Sequence, residues 1–208
     1  FTPGTRTFSG TPTNADVGTH TVVVTATDQI GAFVTDTFTI TVLNVNDPPV
    51  LNAPIPDQTT PEDALYTYTF PATTFVDVDP GDSLTYTADV PAWLTFTPGT
   101  RTFSGTPTND DVGVHTVTVT AADLSAATAT DSFTITVTNV NDAPTLVNPI
   151  PDQTATEDLA FSYTFPADTF NDVDATDTLT YTASTPAWLT FTPGTRTFSG
   201  TPTNADVG

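Results

Sequence analysis

Threonine alternates with apolar residues along several short segments of this chain, and such alternation has the two-residue period of a β-strand. The pattern is clearest in "HTVTVTAAD" (115–123) and "DSFTITVTNV" (131–140). It recurs more briefly in "LYTYTF", "SLTYTA" and "WLTF". Pro, Gly, Asn and Asp separate the segments at turn spacing, and none shows a sustained helical period. The pattern predicts an all-β protein.

The same pattern returns along the chain at a fixed distance. "FTPGTRTFSGTPTNADVG" occupies residues 1–18 and again 191–208, and a nearly identical copy occupies 96–113. Since Phe1, Phe96 and Phe191 open the three copies, the repeat is 95 residues long. About seven short strands in a unit of this size are typical of an immunoglobulin-like β-sandwich.

Proline-rich segments mark the boundaries between repeats. "NDPP" and "NDAP" each end one strand and hold the next segment extended. We therefore expect residues 1–47 to form the C-terminal half of one repeat, 48–142 a complete repeat, and 143–208 the N-terminal part of a third.

The charge of the chain excludes several classes of partner. Twenty-four Asp and Glu residues against three Arg and no Lys give a net charge of −21, which repels nucleic acid and anionic membranes and attracts cations. The absence of cysteine removes disulfides and thiolate metal sites. No apolar run approaches the roughly 18 residues that a membrane-spanning helix needs.

The acidic residues form clusters that indicate a cation site. In the extended segment "DVDPGD" (77–82), Asp77 and Asp79 point the same way and can share one ion. Carboxylate, amide and main-chain oxygens suit calcium rather than zinc or copper. An EF-hand is excluded because Ala88 stands where that loop requires glutamate. Such a segment alone is also typical of a surface turn, so the prediction depends on several clusters occurring together.

These clusters carry a family resemblance. The Pro-Glu pair at 61–62, "DVDPGD", "AAD" (121–123) and "NVNDPP" (44–49) are similar to the corresponding motifs of cadherins. The run "PAWLTF…TRTFSGTP…DVGVHTVTVTAAD" more closely resembles dystroglycan-type cadherin-like repeats and the overlapping immunoglobulin-like repeats of large bacterial surface proteins. The resemblance implies tandem Greek-key β-sandwiches in a linear array, with calcium as the cofactor between successive domains.

The resemblance also implies which residues bind calcium. The junction before the complete repeat would use Asn46, Asp47, Asp77, Asp79 and Asp123. The junction after it would use Glu62, Asn141, Asp142, Asp172 and Asp174. Asn replaces the first Asp of the cadherin linker, and "DVDATD" (172–177) lacks the glycine, so we expect fewer or weaker ions than in a cadherin junction.

The "TPGTR" turn and the two tryptophans could be interpreted as functional, but structural roles also explain them. In "TPGTR", Gly99 is expected to supply the positive φ of a turn, and Arg101 to pair with a carboxylate of its own repeat. Trp93 and Trp188 are expected to be core residues, although an exposed tryptophan would also suit carbohydrate binding.

The predicted function is a calcium-stiffened segment of a secreted or cell-surface adhesin or structural fibre, acting as an extended spacer and interaction surface. The sequence offers no plausible catalytic constellation, so we expect no enzyme activity. The expected partners are neighbouring repeats or other copies of the chain, together with surface glycans or proteins. Two alternatives remain open: a carbohydrate-binding or spacer module of a polysaccharide-degrading enzyme, and a filament subunit completed by strand exchange between chains.

Overall fold

The structure is a computed structural model that describes residues 1–208. Its strands, numbered in chain order, are β1 (Gly18–Thr27), β2 (Phe33–Val42), β3 (Val50–Leu51), β4 (Gln58–Pro61), β5 (Tyr66–Thr69), β6 (Phe75–Val76), β7 (Thr85–Asp89), β8 (Leu94–Thr97), β9 (Thr102–Gly105), β10 (Gly113–Ala122), β11 (Thr128–Thr138), β12 (Thr145–Leu146), β13 (Phe161–Thr164), β14 (Phe170–Asn171), β15 (Leu189–Thr192) and β16 (Thr197–Gly200).

The only helices are five single 3-10 turns: Asn14–Asp16, Pro98–Thr100, Asn109–Asp111, Pro193–Thr195 and Asn204–Asp206. The structure contains no helix with the length and hydrophobicity needed to cross a membrane. The prediction of an all-β chain is confirmed. The chain divides into two compact units, residues 1–138 and 139–208, which are described separately below.

Residues 48–138 form a β-sandwich. One sheet has the strand order β4-β11-β10-β7, with β4 parallel to β11 and the other pairs antiparallel. The facing sheet has the order β5-β9-β8, and β3 pairs with β6 at its side. The Thr/apolar alternation of β10 and β11 places the apolar residues inward, as Val117, Val119, Phe133 and Ile135 are buried and the intervening threonines are not.

The core between the sheets is rich in aromatic side chains. Phe70 and Phe103 are fully buried, and Phe103 makes an edge contact with Phe133 across the sandwich at a ring-centroid distance of 5.7 Å. Tyr86 packs edge-on against Phe70 at 5.5 Å. Such edge contacts stabilise the sandwich beyond the effect of burial alone.

The surroundings of Gly105 explain why the repeated "TFSG" motif ends in glycine. A Cβ atom at this position would overlap the carbonyl oxygen of Trp93, so β9 can approach the start of β8 only where the side chain is missing. Gly200 has the same relationship to Trp188. The motif therefore recurs because the hairpin requires it.

The "TPGTR" turn differs from its prediction in two ways. Pro98–Thr100 forms a 3-10 turn, which ends at Arg101. The chain reverses its direction at this last residue, so the positive φ lies at Arg101 (57°) and not at Gly99. Arg101 also does not pair with a carboxylate as expected. Its Nε donates to the Phe70 carbonyl oxygen at 3.4 Å, and the Phe70 amide donates to the Arg101 carbonyl at 3.2 Å, so Arg101 holds the end of β5.

Residues 1–47 consist mainly of the antiparallel hairpin β1–β2. Its register, from Gly18 with Val42 to Thr27 with Phe33, repeats that of β10–β11. Phe38 is the equivalent of Phe133, and we expected it to be a core residue. It is 37% exposed, however, whereas Phe133 is 2% exposed. The difference arises because no opposing sheet covers this hairpin, and Phe8 is the one aromatic residue whose ring contacts Phe38.

Residues 139–208 form the second unit. Its sheet has the order β13-β16-β15, in the same register as β5-β9-β8, and β12 pairs with β14. Phe165 is buried and lies at its centre, with contacts to Phe170, Tyr181 and Phe191 at centroid distances of 6.0, 5.4 and 6.0 Å.

Candidate cation sites

The "DVDPGD" loop curls so that its acidic side chains converge. The Asp79 amide donates to Asp77 Oδ1 at 2.9 Å, and the Asp82 amide donates to the Asp79 carbonyl at 3.2 Å. Gly81 has a φ of 87°, a value that side-chain-bearing residues rarely adopt. The loop thus forms the tight turn that its composition predicts, with its carboxylates on the inner side.

Asp123 follows the last residue of β10 and joins this loop. Its Oδ1 accepts from the Ala127 amide at 2.8 Å, and its Oδ2 accepts from the Asn46 side-chain amide at 2.9 Å. The hydrogen bond from Asn46, followed by those from the backbone, lowers the pKa of Asp123 below its usual value. The lowered pKa favours the ionised form of the Asp123 carboxylate. The residue is also nearly buried, with 6% of its surface exposed.

Asp77, Asp82 and Asp123 form the first candidate site. Each offers a carboxylate oxygen, and the three oxygens lie within 4.8 Å of one another. Ligands about 2.4 Å from a calcium ion are separated by at most about twice that distance, so the spacing fits calcium. Asp77 Oδ2 and Asp79 Oδ1 are buried without a hydrogen-bond partner, a costly state that a cation would relieve.

Asn46 and Asp47 belong to the linker before the complete repeat, and both contact this loop region. Asn46 reaches Asp123 through its side chain, whereas Asp47 donates its backbone amide to Asp79 Oδ2 at 2.7 Å. The Asp47 carboxylate instead accepts from Asn14 Nδ2 at 2.7 Å. The structure therefore brings three of the five predicted ligands, Asn46, Asp77 and Asp123, together by their side chains, whereas Asp79 and Asp47 are joined to each other beside this group.

The second unit carries an equivalent loop. Asp172, Asp174 and Asp177 place carboxylate oxygens within 4.8 Å of one another. Asp174 is 3% exposed, its Oδ2 accepts from the Asp142 amide at 2.8 Å, and its Oδ1 is buried without a partner. The missing glycine does not prevent the turn, because the Asp177 amide still donates to the Asp174 carbonyl at 3.0 Å.

The other predicted ligands of the second junction lie in their own units. Asn141 donates its side-chain amide to the Asp142 carbonyl at 2.8 Å. Glu62, in the first unit, is 1% exposed, and its amide donates to the Thr138 carbonyl at 3.0 Å. A calcium ligand role for these residues remains a prediction.

Asp82 and Asp177 belong to the two clusters but were not among the predicted ligands. Each is the third carboxylate of a "DxDxxD" segment, and that spacing was the available signal. In an extended chain, positions i and i+5 point to opposite faces, so only the curled loop brings this carboxylate to the other two.

Trp93 does not form an exposed platform for sugars. It is half-buried, and it contacts Tyr66 and His115 edge-on at centroid distances of 6.1 and 5.9 Å. Its Nε1 is buried without a hydrogen-bond partner. His115 Nε2 donates to the Asp111 carbonyl at 2.6 Å, as expected of a structural histidine.

The paired sheets and the loops at their ends define an immunoglobulin-like or cadherin-like domain. The chain matches the model of the family described as "Putative Ig domain" over residues 1–43, 48–138 and 143–208. It therefore belongs to this family.

Comparison with curated proteins relates the chain to adhesins. It is 35% identical over 139 residues to the "Serine-rich adhesin for platelets" of Staphylococcus aureus strain MRSA252, an alignment that covers 66% of this chain and 10% of the relative. The same protein of strain MW2 is also 35% identical over 139 residues, and 6% of its length is covered. The chain thus spans a tenth or less of these relatives. Their relationship agrees with the predicted extracellular, cell-surface location.

Solved structures show the same fold. PcdhgB3 EC1-4 aligns with a TM-score of 0.57 at 17% identity, over 89% of this chain and 49% of that one. Protocadherin Gamma B7 extracellular cadherin domains 1-4 align with a TM-score of 0.51 at 20% identity, over 91% and 50%. The predicted resemblance to cadherin-like and immunoglobulin-like repeats is confirmed.

Proposed function

We propose that this chain is a calcium-stiffened segment of an extracellular adhesin, with three repeats at 1–47, 48–142 and 143–208, and that it serves as an extended spacer and interaction surface. The relationship to staphylococcal adhesins supports an adhesive rather than an enzymatic parent protein. Copies of one small sandwich in tandem supply length and surface. The repeats themselves, surface proteins and glycans are the proposed partners.

The observation that carries this proposal is the contact between the linker and the acidic loop. Asn46 hydrogen-bonds to Asp123 of the candidate site, and Asp47 hydrogen-bonds to Asp79 of the same acidic loop, so the segment that joins two repeats is attached to the site and to its loop. Bound calcium would supply positive charge that offsets the repulsion among these carboxylates. Asp77, Asp82 and Asp123 would hold it, and the linker would be fixed to the same loop.

The affinity expected of such a site sets the conditions of the test. Extracellular calcium modules bind with dissociation constants of about 10⁻⁴ to 10⁻³ M. At a free calcium concentration a hundredfold above that constant, one site adds about 2.7 kcal/mol to the free energy of unfolding. This increase is large enough to raise the melting temperature measurably.

The test combines calorimetry with small-angle scattering on the whole chain, with calcium or with chelator. We expect calcium to raise the melting temperature and to narrow the distribution of interdomain distances. Asp123→Asn should remove most of both effects, whereas Asp110→Asn, which neutralises an exposed carboxylate outside the cluster, should not. A wild-type chain that melts and scatters identically in calcium and in chelator would show that the proposal is wrong.

A further inference from the structure

The complete repeat connects to its neighbours through two adjacent parallel strands. β4, which follows the incoming linker and β3, pairs with β11, the last strand before the outgoing linker. Gln58 lies opposite Ile135, and Pro61 lies opposite Thr138. Because the strands are parallel, the incoming chain joins the pair at one end and the outgoing chain leaves it at the other. One pair of strands therefore carries both connections of the repeat.

Two carboxylates extend this short ladder. The Ile55 amide donates to Asp131 Oδ2 at 2.6 Å, and the Thr134 amide donates to Asp57 Oδ1 at 2.7 Å. The hydrogen bond from the Thr134 backbone, followed by that from its side chain, lowers the pKa of Asp57 and so favours an ionised acceptor. Hydrogen bonds to ionised acceptors are stronger than those between neutral groups.

A main-chain hydrogen bond continues the ladder at its other end, where the Glu62 amide donates to the Thr138 carbonyl at 3.0 Å. We call residues 55–62 and 131–138 together the strand clamp. The core buries its inward apolar side chains: Ile55, Ile135 and Val137. The two segments of the clamp therefore cannot lift off the sandwich without exposing apolar surface to water.

Tension between neighbouring repeats would act along the strands of this clamp. The incoming chain pulls β4 toward its first residue, and the outgoing chain pulls β11 toward its last residue. Parallel strands are thus pulled in opposite directions along their length, so their hydrogen bonds must break together rather than one after another. Strands β5 and β7 to β10 are reached only after the clamp has separated, and β3 and β6 resist through two residue pairs alone.

We propose that the strand clamp is the force-bearing element of the repeat, and that Asp57 and Asp131 strengthen it against sliding. This role goes beyond that of a spacer, because it keeps the sandwich folded while the chain is under tension. The inference does not depend on calcium, since Asp77, Asp82 and Asp123 take no part in these contacts.

Force spectroscopy of the whole chain in chelator tests the role of Asp57. The chain is pulled by its two ends at constant force, and the complete repeat is recognised by the length that it releases, about 3.3–3.6 Å for each residue between β4 and β11. Asp57→Ala removes a hydrogen bond to a charged group, so we expect the repeat to unfold roughly tenfold faster or more at the same force.

Two matched variants accompany this measurement. Asp57→Asn keeps an acceptor oxygen and should retain most of the resistance. Asp89→Ala removes a carboxylate from β7, at the far edge of the same sheet, and should not change the unfolding rate. Equal unfolding rates for wild type and Asp57→Ala, or an equal acceleration by Asp89→Ala, would overturn the proposal.

A second comparison separates resistance to force from general stability. Gly105→Ala disturbs β8 and β9 in the facing sheet, where the added Cβ atom overlaps the Trp93 carbonyl oxygen. We expect it to lower the free energy of unfolding in denaturant at least as much as Asp57→Ala does, but to leave the unfolding rate under force near that of the wild type. Rates under force that simply follow the denaturant stabilities would contradict the assignment of the clamp.

The direction of pulling provides a third measurement on the same contacts. The chain has no cysteine of its own, so Leu65→Cys/Val140→Cys supplies two attachment points at exposed positions. Both follow the strand ends at which Pro61 lies opposite Thr138. Pulling there opens the ladder pair by pair, so we expect unfolding at a lower force than end-to-end pulling requires. Equal forces in the two directions would show that the repeat resists tension elsewhere.

Discussion

Asn46 Nδ2 donates to Asp123 Oδ2 at 2.9 Å, and this single hydrogen bond joins residues that are 77 positions apart. It connects the linker to the end of β10 within the first unit. It is also the main cause of the lowered pKa of Asp123. The contact therefore couples the position of the linker to the charge of the candidate cation site.

Asn46→Ala should raise the pKa of Asp123 toward its usual value, because the largest stabilising contact of the ionised carboxylate is removed. A group whose pKa is lowered by folding contributes stability above its unfolded pKa of about 3.9, and that contribution is lost as the pH falls through the folded value. Carboxyl NMR titration in chelator measures both variants. Asn44→Ala serves as the control, and an unchanged Asp123 titration in Asn46→Ala would contradict the assignment.

Tyr66→Phe should change the alkaline stability of the complete repeat. Burial is the main cause that raises the pKa of Tyr66 to about 12, and the charge of Tyr68 adds to it. Since the unfolded tyrosine ionises near pH 10, the free energy of unfolding should fall between pH 10 and 12. Without the phenol, this fall should be smaller.

The same variant should be at least as stable as the wild type at pH 8, because the Tyr66 hydroxyl is buried without a hydrogen-bond partner. The third repeat already carries phenylalanine, Phe161, at this position. Denaturant unfolding at several pH values measures both effects, with Tyr86→Phe as a comparison. An identical alkaline slope in wild type and Tyr66→Phe would refute the prediction.

Gly105→Ala should destabilise the sandwich, by about 1–3 kcal/mol, the usual cost of forcing extra atoms into a packed site. The added methyl group overlaps the Trp93 carbonyl oxygen, so β8 and β9 must separate. Gly99→Ala is a suitable control, since its Cβ meets no atom within 4 Å. Denaturant unfolding should show a clear loss for Gly105→Ala and little change for Gly99→Ala, and equal stabilities would argue against the close approach of these strands.

The hairpin β1–β2 should exchange its amide hydrogens faster than β10–β11, although both hairpins have the same register. Only β10–β11 is paired on both edges and covered on its apolar face. Local opening is easier where few apolar contacts resist it. Hydrogen exchange read by mass spectrometry at low concentration compares the two segments directly, and similar protection of both would show that β1–β2 is covered in solution.

The period-2 alternation and the 95-residue repeat were sufficient to predict the fold, because each strand buries one face and each repeat encodes the same sandwich. The positive φ at Arg101 was not predictable, because a "TPGTR" segment is compatible with more than one turn type. The pairing of Asn14 with Asp47 depends on tertiary structure that no local pattern encodes.

Only part of the candidate site was predicted, because its remaining contacts also depend on the folded structure. Asp77 and Asp79 are recognisable because they are two residues apart in an extended segment. Asp82 becomes their neighbour only through the hydrogen bond from its amide to the Asp79 carbonyl, together with the positive φ at Gly81. The motifs that resemble those of cadherins do not include Asp82, so the resemblance could not identify it as a ligand.

Asp82→Asn should therefore weaken calcium binding, by roughly tenfold or more, as expected when a carboxylate in or next to the ligand set is neutralised. Asparagine keeps the Oδ1 atom that accepts from Ser83 and Leu124, so the loop should retain its conformation. Asp89→Asn makes the same change of net charge at an exposed position on β7, outside the cluster. Calorimetric calcium titration of the two variants separates a local ligand from a general effect of charge. If both variants lose calcium affinity equally, Asp82 acts only through the net negative charge of the chain, and other residues must form the site.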